Sequence, residues 1–265
     1  MKNRAPLTIK QLQEMKQQGE KIAMLTCYDA TFTGAMEQAG VDIILIGDSL
    51  GMVVQGRDST VGVSVEDITY HTACVARGAE RSFLLADMPF GSYHDEATAM
   101  ENAVELMAAG GAMVKLEGAG PMISIVQYLT TRGVPVCAHL GLTPQSVNQL
   151  GGFLVQAREE EEASQLMNDA LAMQQAGAQM LVLECVPAAL GRKVSENLEI
   201  PVIGIGAGAG CDGQVLVMHD MLGLGRRVPK FVANFMQGSD GIGAAFEKFV
   251  SEVRSGGFPA KEHEY

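Results

Sequence analysis

The chain has 265 residues, of which 47% are hydrophobic and 19% are charged, and it contains 31 Gly and no Trp. This composition excludes a disordered chain, a collagen-like chain and a disulfide-rich mini-protein, and the length is sufficient to bury a large core. The net charge of -12 has the wrong sign for binding a phosphate backbone or an anionic membrane, so we expect no nucleic-acid or membrane partner.

The cysteines and the lack of long apolar segments indicate a reducing compartment. Five cysteines are scattered along the chain without the close pairing of a zinc site, and an odd number cannot all form internal disulfides. No stretch approaches the roughly 18 apolar residues of a membrane span, and the first residues lack the apolar core of a signal peptide. We therefore expect a soluble cytoplasmic protein.

The chain begins with a predicted helix over 8–18 and then alternates short aliphatic runs with longer amphipathic segments. The predicted strands are 21–27, 41–47, 82–87, 112–117, 134–140, 179–185, 200–206 and 230–235. The predicted helices that follow them are 30–39, 66–79, 95–109, 121–132, 159–176, 188–197, 212–222 and 240–255. Several helices end at an Ala-Gly pair, as expected at a helix C-terminus, and no Pro/Ser-rich linker divides the chain.

Eight strand–helix units in a chain of this length are typical of a closed (β/α)8 TIM barrel, whereas a doubly wound open sheet usually has fewer strands. The sequence therefore predicts an α/β protein with a single barrel domain over 1–265 and an extra N-terminal helix. That helix either covers the bottom of the barrel or forms a solvated arm.

Ionisable residues stand at the ends of five consecutive predicted strands, where the active sites of barrel enzymes lie. These residues are Asp48 with Ser49, Asp87, Lys115 with Glu117, His139 and Glu184. Each alone has a structural explanation, since an Asp-Ser pair can cap a helix and a buried His can be held by hydrogen bonds. Together, several buried charges without a partner would cost several kcal/mol each, so a function explains them better.

The three acids Asp48, Asp87 and Glu117 supply only oxygen ligands, which favours Mg²⁺. Zinc is disfavoured because the sequence contains no HExxH motif and no nitrogen–sulfur ligand set. A metal bound here would polarise a carbonyl group. Lys115 could bind a carboxylate or form a Schiff base, and the neighbouring acids favour carboxylate binding because they keep the ammonium charged.

Glu184 lies in the otherwise apolar run LVLECVP, where the loss of hydration makes a carboxylate a better proton acceptor. We therefore expect it to be a general base, with a salt bridge to an arginine as the alternative. Residues 204–209 fit GxGxxA, but they follow the seventh predicted strand and not the first, so the dinucleotide-binding interpretation is weak.

Six segments together resemble one known family. They are GDSLGMVVQG (47–56), LLADMPF (84–90), VKLEG (114–118), HLGLTPQS (139–146), LVLECVP (181–187) and IPVIGIGAG (200–208). In this order the chain resembles the ketopantoate hydroxymethyltransferases from about residue 3 to residue 260. The resemblance implies a Mg²⁺-dependent barrel enzyme that transfers a hydroxymethyl group from 5,10-methylenetetrahydrofolate to 3-methyl-2-oxobutanoate through a Mg²⁺-stabilised enolate. The product would be 2-dehydropantoate, in pantothenate and coenzyme A biosynthesis.

The resemblance also implies roles for individual residues and an assembly. Asp48 and Asp87 would bind the metal with Glu117 in or near its shell, and Glu184 would be the catalytic base. The substrate-binding residues would be Asp48, Ser49, Asp87, Lys115 and His139. The implied assembly is a homodecamer. Two alternatives stay open: a Mg²⁺-dependent lyase or mutase of 2-oxo acids on a related barrel, and a non-catalytic barrel that binds a keto acid or serves as a scaffold.

Overall fold

The computed structural model describes residues 5–225 and 228–265. Within these residues eight parallel strands pair in chain order, and the eighth strand pairs with the first to close the barrel. The strands are β1 (Ile22–Thr26), β2 (Ile43–Ile46), β3 (Phe83–Asp87), β4 (Met113–Glu117), β5 (Val136–Gly141), β6 (Met180–Glu184), β7 (Val202–Ile205) and β8 (Gly213–Leu216). The predicted (β/α)8 TIM barrel is confirmed.

Helices precede, separate and follow the strands, and most of the longer ones pack on the outside of the barrel. They are α1 (Ile9–Gln18), α2 (Ala30–Ala39), α3 (Leu50–Val53), α4 (Val65–Gly78), α5 (Glu96–Ala108), α6 (Met122–Thr130), α7 (Val147–Leu150), α8 (Glu160–Gln175), α9 (Ala188–Asn197), α10 (Met218–Met221) and α11 (Ile242–Ser255). Because both faces of each strand are covered, the strands are predominantly apolar, and all four residues of β2 are buried.

The extra N-terminal helix packs against the amino-terminal end of the barrel. Leu12 of α1 is fully buried, and the Lys16 ammonium lies 2.6 Å from a carboxylate oxygen of Asp212, the residue that precedes β8. Lys16 also donates a hydrogen bond to the carbonyl oxygen of Ser195. The helix therefore covers the bottom of the barrel, and the alternative of a solvated arm is wrong.

The eighth strand lies elsewhere in the sequence than predicted. Residues 212–222 were expected to be helical, but β8 occupies Gly213–Leu216 and only the short α10 follows it. Closure of the barrel explains the difference, because β8 must fit between β7 and β1. The fit is close: a Cβ at Gly213 would lie 2.4 Å from the carbonyl oxygen of Ile22 in β1, so a glycine is needed at this position.

The predicted strand at 230–235 is wrong, because its apolar side chains pack outside the sheet. The Phe235 ring contacts the Phe249 ring edge to face with 5.4 Å between centroids, and it contacts Phe258 in the same way at 5.3 Å. The aliphatic and aromatic pattern of this segment therefore reflects burial against α11 and not strand pairing.

Strands β5 and β6 approach each other closely at their carboxyl ends, where Gly141 is paired with Glu184. Gly141 has φ of 86°, and a Cβ on it would lie 2.1 Å from the carbonyl oxygen of Glu184. That oxygen accepts a hydrogen bond from the Leu142 amide at 2.9 Å. Only glycine allows this approach, so it fixes the main chain that carries Glu184.

We expect Gly141→Ala to lower the free energy of unfolding by more than about 2 kcal/mol, because the left-handed conformation costs an L-residue about 1–2 kcal/mol and the new methyl group also collides with β6. Gly151→Ala is the matched control, since Gly151 has φ of 74° and a Cβ there would have no atom within 4 Å. Urea unfolding followed by circular dichroism measures both. Equal losses in the two variants would contradict the steric argument.

Candidate active site

Strands β2 to β6 bring the predicted ionisable residues together at the carboxyl end of the barrel. Asp87 pairs with Lys115 across β3 and β4, and Glu117 pairs with His139 across β4 and β5. Lys115 and Glu117 are two residues apart and therefore point to the same side of β4. Five of these side chains are buried, with residue exposures of 5% or less: Asp48, Asp87, Lys115, Glu117 and His139.

The Lys115 ammonium is the central cation of this cluster. Its Nζ lies 2.9 Å from Asp87 Oδ1 and 3.9 Å from Glu117 Oε1. Burial lowers the pKa of Lys115, but the negative charges of Asp87, Glu117 and Asp48 outweigh it and raise that pKa above its usual value. The side chain therefore stays charged, which favours attraction of an anion over Schiff-base formation.

His139 connects Glu117 with Glu184. Its Nδ1 lies 3.3 Å from Glu117 Oε1, and its Nε2 lies 3.2 Å from Glu184 Oε2. The Glu184 side chain is the more open of the two carboxylates, at 12% exposed against 2% for Glu117. The charged partner of Glu184 is thus His139, and among the described residues it forms no salt bridge with an arginine.

The pKa values of His139 and Glu117 follow from burial and charge together. Burial and the Lys115 charge lower the pKa of His139, but Glu117 and Glu184 raise it further, to about 9. Burial alone would raise the pKa of Glu117, yet His139 and Lys115 hold it below its usual value. The two carboxylates therefore favour the charged form of the ring, against the opposing Lys115 ammonium that lies 3.2 Å from His139 Nδ1.

Asp48 carries the least compensated negative charge of the cluster. Burial raises its pKa well above the usual value, and the charges of Asp87 and Glu117 raise it further. The Asp48 amide donates a hydrogen bond of 2.9 Å to Asp87 Oδ2, which ties the main chain that follows β2 to the Asp87 side chain at the end of β3. An added cation would relieve this repulsion.

The expected three-carboxylate metal site is only partly assembled. Among residues 5–225 and 228–265, no three His, Cys, Asp or Glu side chains are grouped so as to hold a metal ion. Glu117 is turned toward His139 and Lys115, while Asp87 Oδ1 and Glu117 Oε1 are buried atoms with no well-directed hydrogen bond from the described residues. Asp48 and Asp87 fit Mg²⁺, which usually takes one or two carboxylates and completes its shell with water or substrate.

Ser49 does not cap the helix that follows it, because its side chain makes no bond to the amides of α3. Its hydroxyl lies 2.9 Å from the Tyr28 hydroxyl, and Tyr28 donates its one hydrogen to Thr26 at the end of β1. The pair therefore ties the β2 end of the site to the β1 end.

Three residues at the site were not predicted from the sequence. They are Tyr28 and Tyr93, whose hydroxyls bind site residues, and Gln145, which contacts Asp48 and Glu117. Tyr28 and Tyr93 do not ionise near neutral pH, so a search for charged strand ends passes over them. Gln145 lies inside the segment HLGLTPQS, just after β5. Its position beyond the carboxyl end of a strand is the one sequence feature that could have indicated a place in the site.

The fold and the cluster define the class of protein: a (β/α)8 barrel with its buried charges at the end where barrel enzymes carry out their chemistry. The chain belongs to the ketopantoate hydroxymethyltransferase family, whose profile matches residues 6–261. The resemblance noted from the sequence motifs is thus confirmed, and the protein is an enzyme of this family.

Full-length relatives carry the same description. The chain is 58% identical over 259 residues to "3-methyl-2-oxobutanoate hydroxymethyltransferase 2" of Pseudomonas aeruginosa (strain UCBPP-PA14), covering 97% of each chain. It is 55% identical over 259 residues to the "3-methyl-2-oxobutanoate hydroxymethyltransferase" of Idiomarina loihiensis, again covering 97% of each chain.

Solved structures with low sequence identity share the fold. A phosphoenolpyruvate phosphomutase from Streptomyces platensis subsp. rosaceus superposes with a TM-score of 0.62 at 14% identity, covering 80% of this chain and 82% of that one. A phosphonopyruvate hydrolase solved with oxalate and Mg²⁺ gives 0.61 at 12% identity, covering 80% and 81%. At such identities the likeness establishes the fold alone.

In protein freed of divalent cations, we expect the His139 ring to titrate near pH 9, because Glu117 and Glu184 stabilise its charged form. Glu117→Gln should lower this pKa more than Glu184→Gln does, since Glu117 supplies the larger contribution. NMR of ring-labelled histidine measures both shifts. A pKa unchanged by Glu117→Gln would contradict the assigned ion pair.

The same ion pairs predict how stability depends on pH. The pKa of His139 in the folded protein lies above its ordinary value of 6.5. The ion pairs of His139 therefore stabilise the folded protein fully below about pH 6.5. That stabilisation is lost as the pH rises through about 9.

Proposed function

We propose that this protein transfers a hydroxymethyl group from 5,10-methylenetetrahydrofolate to 3-methyl-2-oxobutanoate, giving 2-dehydropantoate for pantothenate and coenzyme A biosynthesis. The observation that carries the proposal is the placement of Glu184 at the barrel mouth, 3.2 Å from His139 and next to the buried cluster around Lys115. The names of the full-length relatives support hydroxymethyl transfer to 3-methyl-2-oxobutanoate. For the alternative of a 2-oxo acid lyase or mutase, the structures at 12–14% identity support only a shared fold.

Asp48 and Asp87 would hold Mg²⁺, with Glu117 at the edge of its shell. When bound, the cation supplies Lewis-acid polarisation of the 2-oxo group and stabilises the negative charge that develops on its oxygen. Two features support this assignment: the Asp48 amide binds the Asp87 carboxylate at the ends of β2 and β3, and burial and the charges of Asp87 and Glu117 raise the pKa of Asp48 against the opposing Lys115 ammonium.

Lys115 and Ser49 bind and orient the 2-oxo acid in this proposal. The Lys115 ammonium attracts the substrate carboxylate, and its buried position makes that attraction stronger than in water. The Ser49 hydroxyl, which lies 2.9 Å from the Tyr28 hydroxyl, is the second polar group that contacts the same substrate in this proposal. Asp48, Asp87 and His139 complete the walls around the reacting carbons.

Glu184 is the general base that removes the proton from C3 of the 2-oxo acid. The enolate carbon then forms the new carbon–carbon bond with the one-carbon unit of the folate, and both carbon–nitrogen bonds of that unit break. A water molecule supplies the oxygen of the new hydroxyl group, and tetrahydrofolate leaves after its two nitrogens have taken up the C3 proton and one proton of the water. The His139 imidazolium lies against Glu184 and fixes the orientation of the carboxylate that receives the proton. It also stabilises negative charge on substrate oxygens in the cleft.

We also propose that residues 1–265 form one domain and that the protein acts in the cytoplasm as a homo-oligomer. Its family resemblance implies a decamer. Its partners would be the 2-oxo acid and the folate, without nucleic acid or membrane, in keeping with its net charge of -12. Over the part of the chain that the structure describes, no helix has the length and apolar character needed to cross a bilayer.

We expect Glu184→Gln to lower kcat by at least 10³-fold, because the amide cannot accept the C3 proton. Binding of 3-methyl-2-oxobutanoate in the presence of Mg²⁺ should change by less than about threefold, since Glu184 is not among the proposed anchors. Product formation followed by NMR and calorimetric titration measure the two effects. Retained turnover would remove Glu184 from the role of base.

Removal of Mg²⁺ with a chelator should abolish both 2-dehydropantoate formation and the exchange of the C3 proton with D₂O, and added Mg²⁺ should restore both. Proton exchange without product would keep the enolising site but contradict the folate as donor. Binding of the keto acid unaffected by the chelator would contradict the proposed role of the metal and favour a non-catalytic barrel.

A further inference from the structure

Gln145 is a buried polar residue, 4% exposed, in the turn Pro144–Ser146 that follows β5. Its side-chain amide donates one hydrogen bond to Asp48 Oδ2 at 2.8 Å and one to the carbonyl oxygen of Met88 at 2.9 Å. Its main-chain amide donates a third, at 3.0 Å, to Glu117 Oε2. One residue thus joins the ends of β2, β3 and β4.

The orientation of this amide follows from its neighbours. The main-chain amide of Glu117 can only donate, and it donates to the Tyr93 hydroxyl oxygen. The Tyr93 hydrogen is therefore directed to the remaining acceptor, Gln145 Oε1. The Met88 carbonyl can only accept, so the NH₂ end must face Met88 and Asp48.

The contact leaves the two oxygens of Asp48 in different situations. Oδ2 is held by Gln145, while Oδ1 accepts no hydrogen bond from the described residues. Glu117 is restrained in a related way, because its Oε2 is held by the Gln145 main chain and its Oε1 is left facing His139 and Lys115.

We propose that Gln145 is a positioning residue that makes Asp48 a one-oxygen ligand for the divalent cation and keeps Glu117 directed at His139. This inference rests on the proposed function. A single presented oxygen leaves coordination positions for the 2-oxo acid, whereas a carboxylate free to rotate could take two of them. Gln145 does not touch the substrate in this arrangement and acts only through the two acids.

Gln145→Met tests the proposal, because methionine has a similar volume and shape but no donor. We expect the Kd for Mg²⁺ to rise at least tenfold, since Asp48 is no longer held in the orientation that presents Oδ1 to the cation, and loss of such an outer-shell partner typically costs about 10–100-fold in metal affinity. At saturating Mg²⁺, kcat should return to within about threefold of the unaltered enzyme. A merely structural defect would lower kcat at every Mg²⁺ concentration.

Tyr93→Phe is the matched control. It removes the hydroxyl that orients the Gln145 amide but leaves the two N–H groups able to reach Asp48 and Met88. We expect a smaller rise in the Mg²⁺ Kd than in Gln145→Met. Gln145→Asn is the second test variant. It keeps a polar amide in the same space but is one methylene too short for both contacts, so it decides the question if Gln145→Met does not fold.

Calorimetric titration with Mg²⁺ alone, and then with Mg²⁺ and 3-methyl-2-oxobutanoate, reads binding independently of turnover. A Kd for Mg²⁺ within twofold of the unaltered protein in the folded Gln145 variants would overturn the inference. If the unaltered protein itself binds no Mg²⁺ and makes no 2-dehydropantoate, the proposed function fails first. If the unaltered protein forms product but the Mg²⁺ affinity of the variants is unchanged, the role of Gln145 is wrong and the proposed function stands.

Discussion

The site depends on one buried cation, the ammonium of Lys115, placed 2.9 Å from Asp87 and 3.9 Å from Glu117. Removing such charges from water costs several kcal/mol for each ion unless opposite charges and hydrogen bonds compensate. Lys115 supplies that compensation for the acids on both sides of it. The backbone amide of Asp48 and that of Gln145 each donate to one of these acids and take up oxygens that Lys115 does not reach.

The barrel makes this arrangement possible because parallel strands in register place the charged groups at equal heights. Asp87 lies beside Lys115, Glu117 beside His139, and Gly141 beside Glu184. A shift by one residue in any pair would turn its side chains to the opposite face, toward the helices. The fully buried aliphatic positions of the strands therefore also determine which charges meet.

Much of the fold could be predicted from the sequence, because buried parallel strands are aliphatic runs and helices end at glycines. Seven strands were predicted within two residues of their bounds. The eighth was not, because Gly213–Leu216 is short and polar at Gln214, and its identity depends on closure against β1, a long-range constraint. The apolar run at 230–235 was predicted as a strand because burial against α11 produces the same apolar composition as burial within a sheet.

The charged residues of the site could be predicted as well, because an ionisable group at the end of an aliphatic run is conspicuous. Their partners could not. The contacts of Gln145 with Asp48 and Glu117 join loops far apart in the chain, and the pairing of Glu184 with His139 in place of an arginine depends on the register of β5 and β6. Local sequence carries no record of such contacts.

The position of His139 between Glu117 and Glu184 gives the cleft a property that neither acid has alone. One imidazolium balances both carboxylates. When Glu184 is neutralised, more of the imidazolium charge is left to balance Glu117, and when Glu117 is neutralised, more of it is left to balance Glu184. A change of charge on one side of the mouth therefore alters the electrostatic surroundings of the other side through a single ring.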